Sequence, residues 1–253
     1  MLLIDTHIHI YLPEFNEDRV QLIENSVVAG ISTFFMPAID STTHEIMLQV
    51  EDEFQPCIAM MGLHPCSVKN DYLQELETVK TWLQKRKFIA VGETGLDLYW
   101  DKTFLVQQYE AFHAQIEWAL NYDLPVVIHS RDATAECIKV VQQYKNLRGV
   151  FHCFSGTIDQ AKEIIDLGFY LGIGGVVTFK NGGLDKVIEQ LGIANVVMET
   201  DAPYLAPVPF RGKRNHPEYL MHIARKISTV SGKDLREVVD ITSANARKLF
   251  NLK

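Results

Sequence analysis

Short apolar runs, many of them β-branched, alternate along this chain with longer stretches whose apolar residues recur every three or four positions. The runs occupy residues 2–8, 31–37, 57–62, 88–92, 125–129, 149–153, 169–172 and 195–198. Runs of this length and composition predict strands. They recur on average about every 28 residues, enough for one strand and one helix per repeat. Between them the period changes. Leu105, Tyr109, Phe112, Ile116 and Ala119 make one apolar stripe in the stretch 103–121, and Val20, Ile23 and Val27 make a shorter one that Gly30 ends. Thr157 with Gln160 reads as a capping box opening the helix after the sixth strand.

Strands that are apolar throughout, each followed by a helix, predict a parallel sheet covered on both faces. Eight such units predict an α/β fold of the (β/α)8 TIM-barrel type, with an open doubly wound sheet as the alternative. A length of 253 residues suits one barrel domain spanning 1–253. The one long irregular stretch, 202–215, carries Pro203, Pro207, Pro209 and Gly212. A structureless stretch of that length in a compact domain is usually functional.

The polar residues add chemistry to this pattern. In a barrel the carboxyl ends of the strands converge on one mouth. His7 and His9 close the first predicted strand, His64 follows the third and Glu93 follows the fourth. His129 ends the fifth, His152 lies in the sixth, and Glu199 and Asp201 follow the eighth. This places a candidate metal site at the mouth. Asp5, His7 and His9 alternate, and a period of two puts all three on one face of a strand, where two imidazoles make half a chelate. His-x-His alone is a weak signal; histidines and carboxylates at five further strand ends strengthen it. Asp97, in VGETGLD, is expected to brace its loop, and Cys153 to point away from the mouth as an inert buried thiol. His44, His113 and His222 fall in helical patterns and read as solvated or packed, and His216 as bracing the helix after the proline-rich stretch.

Apolar residues at 47% and charged residues at 22% describe a globular chain. No apolar run approaches the roughly 18 residues of a membrane span. The segment MLLIDTHIHI has neither a basic leader nor a small-residue cleavage site, so no signal peptide is expected. Cys57, Cys66, Cys137 and Cys153 form no CxxC pair, which predicts a reducing, cytoplasmic setting. The net charge of −8 argues against a uniformly basic nucleic-acid binder. A polyanion would have to be held locally, by Arg131 and by Arg211, Lys213 and Arg214 in PVPFRGKRN, with arginines gripping phosphate in bidentate fashion.

The segments DTHIHI, GLHP, GETGLD, PVVIHSRDA, FHCFSG and ETDAPYLAPVPFRGKRN, followed by TSANARKLF, together resemble the TatD-type metal-dependent deoxyribonucleases of the amidohydrolase-like barrel superfamily. The resemblance spans essentially the whole chain. One departure is Thr94, where the family commonly has an apolar residue. The resemblance implies two divalent cations, Mg, Mn or Zn, and no organic cofactor. His7, His9, Glu93 and Asp201 would hold one cation; Glu93, His129 and His152 would hold the other, with Glu93 bridging. His64 would lie close by without being a constant ligand. DNA is the implied substrate, cleaved by a two-metal-activated water with Asp201, His64 and Glu93 as the catalytic groups. The alternative is a barrel hydrolase acting on another ester or an amide, such as an aminoacyl ester. Many such relatives bridge their metals with a carbamylated lysine after the fourth strand; here that position is Glu93, and no lysine follows until Lys102.

Overall fold

The computed structural model describes residues 2–252. Its strands are β1 (Leu3–Asp5), β2 (Ile31–Met36), β3 (Cys57–Ala59), β4 (Val91–Asp97), β5 (Val126–Arg131), β6 (Gly149–Phe151), β7 (Tyr170–Ile173) and β8 (Val196–Met198). Each is followed by an α-helix: α1 (Arg19–Val28), α2 (Ser41–Glu53), α3 (Tyr72–Lys85), α4 (Leu105–Asn121), α5 (Thr134–Val141), α6 (Ile158–Asp166), α7 (Leu184–Leu191) and α8 (Leu220–Ser231), with α9 (Leu235–Leu249) at the end. The expected alternation of eight strands with helices is therefore present in order.

All strand pairs are parallel and neighbours in sequence are neighbours in space, but the ladder is split into β1-β2-β3 and β4-β5-β6-β7-β8. The strands beside both breaks include β1, β3 and β8, each of only three residues, so isolated hydrogen bonds stand where a ladder would run. Between the sheets at β3 and β4, Met61 N donates to Ala90 O at 3.2 Å and Gly92 N to Met61 O at 3.0 Å. At β8 and β1, Thr6 donates to Met198 O from both its amide, at 3.0 Å, and its hydroxyl, at 3.1 Å.

Alternation along the strands sorts the core into two. Ile4, Phe35, Met60, Ala90, Val127, Val150, Tyr170 and Val197, one from each strand or its immediate flank, pack into a single cluster with Ala246, Leu249 and Phe250 at the end of α9. The Phe35 and Phe250 rings meet edge to face at 4.6 Å. Their strand neighbours, such as Leu3, Phe34 and Met36, point the other way and pack under the helices. In α4 the predicted stripe is buried at Phe112, Ile116 and Ala119. In α1 the stripe is rotated: Leu22, Ile23 and Ser26 face inward while Val20 and Val27 are exposed, because the helix docks on its Leu22 side. Gly30 ends that segment with φ 99°, and the Thr157–Gln160 capping box is formed in both directions.

Two strand boundaries differ from the sequence expectation in ways that matter for the site. β1 stops at Asp5, so His7 and His9 lie beyond it. β4 begins later and runs through GETGLD, so Glu93 lies within a strand; Gly95 pairs with His129 and Asp97 with Arg131. Apolar content marks only the first part of such a strand: every residue of β4 is buried, polar ones included, and they continue the ladder beside β5. Gly95 is required there: at φ 133°, a Cβ would sit 2.1 Å from His129 O. Among the described residues no helix is long and apolar enough to cross a membrane.

Candidate metal centre

The site is built where the ends of β1 and β8 are tied together. Asp201 N donates to His7 O at 2.9 Å, and His9 N to Ala202 O at 2.8 Å. Asp5 does not join the histidines. Its carboxylate accepts from Thr200 N at 2.9 Å, Thr200 Oγ1 at 2.6 Å and His7 N at 3.3 Å, and full burial pushes its pKa up to about 8 against those bonds. The one-face expectation fails for Asp5 because the strand, and with it the period of two, ends there.

Glu93 lies at the centre. Its Oε1 is 2.8 Å from His152 Nε2, 3.0 Å from His129 Nδ1 and 3.4 Å from His64 Nε2. Its Oε2 is 3.2 Å from His7 Nε2 and 3.8 Å from His9 Nε2. Asp201 Oδ1 is 3.7 Å from both His7 Nε2 and His9 Nε2. Burial pushes the Glu93 carboxyl up, but His152, His64, His7 and His129 outweigh it and hold its pKa well below the usual range. Burial draws His152 down, yet Glu93 and Glu199 reverse this and raise it. Burial and the nearby His7 hold the His9 pKa well below the usual histidine range. Burial lifts Asp201 to about 6, opposed by His152 and His7.

Several rings are oriented from behind, as metal-binding imidazoles commonly are. The Tyr11 hydroxyl donates to Pro37 O at 2.7 Å and lies 3.1 Å from His9 Nδ1. With its proton committed, Tyr11 accepts from His9 Nδ1–H, which leaves the Nε2 lone pair facing the cluster. Asp97 Oδ2 lies 2.8 Å from His129 Nε2, while its Oδ1 takes Tyr99 N at 3.0 Å and Trp100 N at 2.8 Å. Asp97 thus braces its loop, as expected, and also positions a histidine. Glu199 Oε1 is 3.3 Å from His152 Nδ1 and accepts from Cys153 N. Gly172 makes room for Glu199, since a Cβ there would lie 2.4 Å from its Oε2. His64 Nδ1 accepts from Cys66 N at 3.0 Å, so its proton sits on Nε2, facing Glu93.

The donor set fits divalent cations. His7, His9 and Asp201, and again His7, Glu93 and His152, each bring three ligand atoms within 4.8 Å of one another. The His7 and His9 Nε2 atoms are only 3.3 Å apart, and the His7 and His152 rings stack at 3.7 Å. Imidazole and carboxylate donors suit Zn and Mn, and less ideally Mg.

All six residues expected as ligands, and His64, are therefore brought together. The expected phosphate-binding cations are dispersed. The exposed Arg131 guanidinium lies 3.9 Å from the Tyr99 ring centre, and that of Arg211 4.5 Å from Phe179. Lys213 is exposed. Arg214 is bound to the Asp18 carboxylate and Glu14 O, so it fastens the 202–215 segment to the start of α1. Asn215 closes the same segment by donating from Nδ2 to Thr200 O and Tyr204 O, both at 2.7 Å. Cys153 lies past β6 with φ 45°, beyond the reach of strand alternation. It is half-buried rather than buried; burial, with Asp201, Glu199 and Glu93 nearby, holds its thiol protonated. Sequence reasoning missed Tyr11, although it continues the two-residue spacing of His7 and His9. It also left Glu199 without a role behind His152.

Parallel α/β sheets carrying a histidine–carboxylate cluster at the strands' carboxyl ends define a metal-dependent hydrolase architecture. The family described as TatD related DNase matches residues 4–251, and the chain belongs to this family of metal-dependent hydrolases. It is 33% identical over 254 residues to the metal-dependent hydrolase YabD of Bacillus subtilis, covering 99% of this chain and 100% of the relative. The crystal structure of the TatD homologue YjjV from Escherichia coli superposes with a TM-score of 0.93 at 30% identity, covering 99% of this chain and 98% of that one. A relative from Citrobacter koseri named 3'-5' ssDNA/RNA exonuclease TatD is 27% identical, with 98% of each chain covered.

Proposed function

We propose that this protein hydrolyses phosphodiester bonds in DNA, using two divalent cations, Mg, Mn or Zn, held at the strands' carboxyl ends. The observation that carries this reading is the division of Glu93: Oε2 faces His7 and His9, and Oε1 faces His129 and His152. A carboxylate so divided is suited to bridging two ions. His7, His9, Glu93 and Asp201 would hold one, and Glu93, His129 and His152 the other. Bound cations of this kind lower the pKa of water and offset charge on phosphoryl oxygens.

The chain's own groups then act on proton and substrate. Water adds to phosphorus as the bond to the leaving oxygen breaks. Asp201, beside His7 and His9, orients the water and takes its proton. His64 Nε2–H donates to the phosphate or the leaving oxygen. Arg131, Arg211 and Lys213 supply local positive charge on a chain whose net charge is −8. The name of the Citrobacter relative supports a nucleic-acid substrate.

The same reading takes residues 1–253 as one (β/α)8 domain. The eight-strand inner cluster and the hydrogen bonds at both breaks support it. Four free cysteines support a reducing cytoplasmic setting.

The test is cleavage of single-stranded and duplex oligonucleotides by protein treated with a chelator and then resupplied with Mn²⁺, Mg²⁺ or Zn²⁺. Activity should vanish and return, while circular dichroism stays largely unchanged, since a domain of this size has its own core. Full activity in chelator sinks the reading.

A further inference from the structure

Four aromatic side chains are exposed among the described residues: Tyr99, Trp100, Tyr122 and Tyr204. Three of them leave the carboxyl ends of strands, on the side of the metal centre. Tyr99 and Trp100 lie two and three residues past the end of β4 and are 51% and 67% exposed. Being adjacent, the two rings make a contiguous apolar patch rather than a scattered single residue, and such patches mark contact sites.

This pair is neither loose nor remote. Its two backbone amides are held by Asp97 Oδ1, and the other oxygen of the same carboxylate holds His129. One buried side chain thus fixes both the aromatic pair and an imidazole that faces Glu93. The two rings stand perpendicular, 4.9 Å apart. The Arg131 guanidinium lies over Tyr99 at 3.9 Å and farther from Trp100, at 5.2 Å, and the exposed indole stays largely uncovered beside this positive charge. An uncovered π-face next to an arginine is the arrangement that binds unpaired bases in single-strand grooves: the ring stacks the base, and the cation meets the backbone phosphate.

We propose that Tyr99, Trp100 and Arg131 form a base-stacking subsite, with Trp100 taking the unpaired base beside the scissile phosphate. The subsite rests on the phosphodiesterase reading and adds to it a residue that contacts the base rather than the phosphate. Asp97 ties the backbone of the aromatic pair and the His129 ring to one carboxylate, which places the loop carrying Trp100 beside the cluster. Base identity matters little at such a site, because every base has a π-face.

The experiment compares wild type, Trp100→Ala and Trp100→Phe on two single-stranded oligonucleotides, one intact and one abasic beside the cleaved bond, with Mn²⁺ present. On the intact strand, Trp100→Ala should lose roughly 5- to 150-fold in kcat/KM, the worth of one stacked base, while Trp100→Phe keeps most of the rate. On the abasic strand wild type should fall by a similar factor, and Trp100→Ala should then match it. If Trp100→Ala loses equally on both strands, the residue supports the loop and the subsite is wrong. If it changes neither, the exposed pair serves some other contact, such as a protein partner, and the subsite is again wrong. If wild type cleaves neither strand under any cation, the phosphodiesterase reading falls first and takes the subsite with it.

Discussion

The His129 imidazole is held between two carboxylates, with Asp97 Oδ2 2.8 Å from its Nε2 and Glu93 Oε1 3.0 Å from its Nδ1. Burial alone would lower its proton affinity, but the bonds to Asp97 and Glu93 more than offset this and raise its pKa. Asp97 therefore directs the Nδ1 face of the ring into the cluster. Asp97→Asn keeps the shape and removes the charge. We expect divalent-metal affinity to fall about 10- to 100-fold, the usual cost of losing such a partner. Titration of metal-stripped protein with Mn²⁺ or Zn²⁺ measures it, and an unchanged Kd would show that His129 needs no carboxylate behind it.

Asp201 offers its Oδ1 to two histidines while burial holds its pKa near 6. Asp201→Asn should lower the hydrolysis rate by at least about 10²-fold, through loss of a metal donor and of the proton acceptor. A near-wild-type rate would transfer the role to another carboxylate. Glu199 is one candidate, but it is fully buried behind His152.

His64 differs from the other imidazoles of the cluster because its Nδ1 accepts from a backbone amide, which leaves Nε2 protonated. A protonated nitrogen is a donor, not a ligand. His64→Ala should therefore slow hydrolysis and leave the metal content of the purified protein unchanged. Loss of one metal equivalent, read by elemental analysis, would make His64 a ligand.

The cations of the 202–215 segment should behave differently from one another. Arg211 and Lys213 are exposed, whereas Arg214 is bound to Asp18 and holds that carboxyl below its ordinary pKa. If Arg211 and Lys213 contact DNA phosphates, neutralising each should reduce the slope of log K against log salt by about 0.7–0.9. Arg214→Ala should leave that slope nearly unchanged and cost about 1 kcal/mol or less in stability, as a partly exposed ion pair does. Equal slope changes for all three would mean that Arg214 releases Asp18 to bind DNA.

The order and type of the elements were written in the sequence, because each strand has an apolar run and the stretches between the runs change to a helical period. So were the seven polar residues of the cluster. In a strand–helix repeat, a histidine or carboxylate at the carboxyl end of a strand has one direction to face. The details that depend on contacts between distant segments were not legible. Val20 and Val27 share a helical spacing with Ile23, but only docking of α1 decided that Leu22 and Ser26 face inward. Asp5 shares the two-residue spacing of His7 and His9, but β1 ends at Asp5, and Thr200, 195 residues away, takes its carboxylate. Arg214 reads like its neighbours until Asp18 is found beside it. Tyr11, Asp97 and Glu199 acquire their roles from the far sides of three rings, and a ring's far side is a property of the folded packing. The sequence determined which side chains reach the carboxyl ends of the strands, because strand direction is a local property. Tertiary structure decided which nitrogen each ring turns inward and which charges remain free, because those depend on partners that only the folded chain brings within hydrogen-bonding distance.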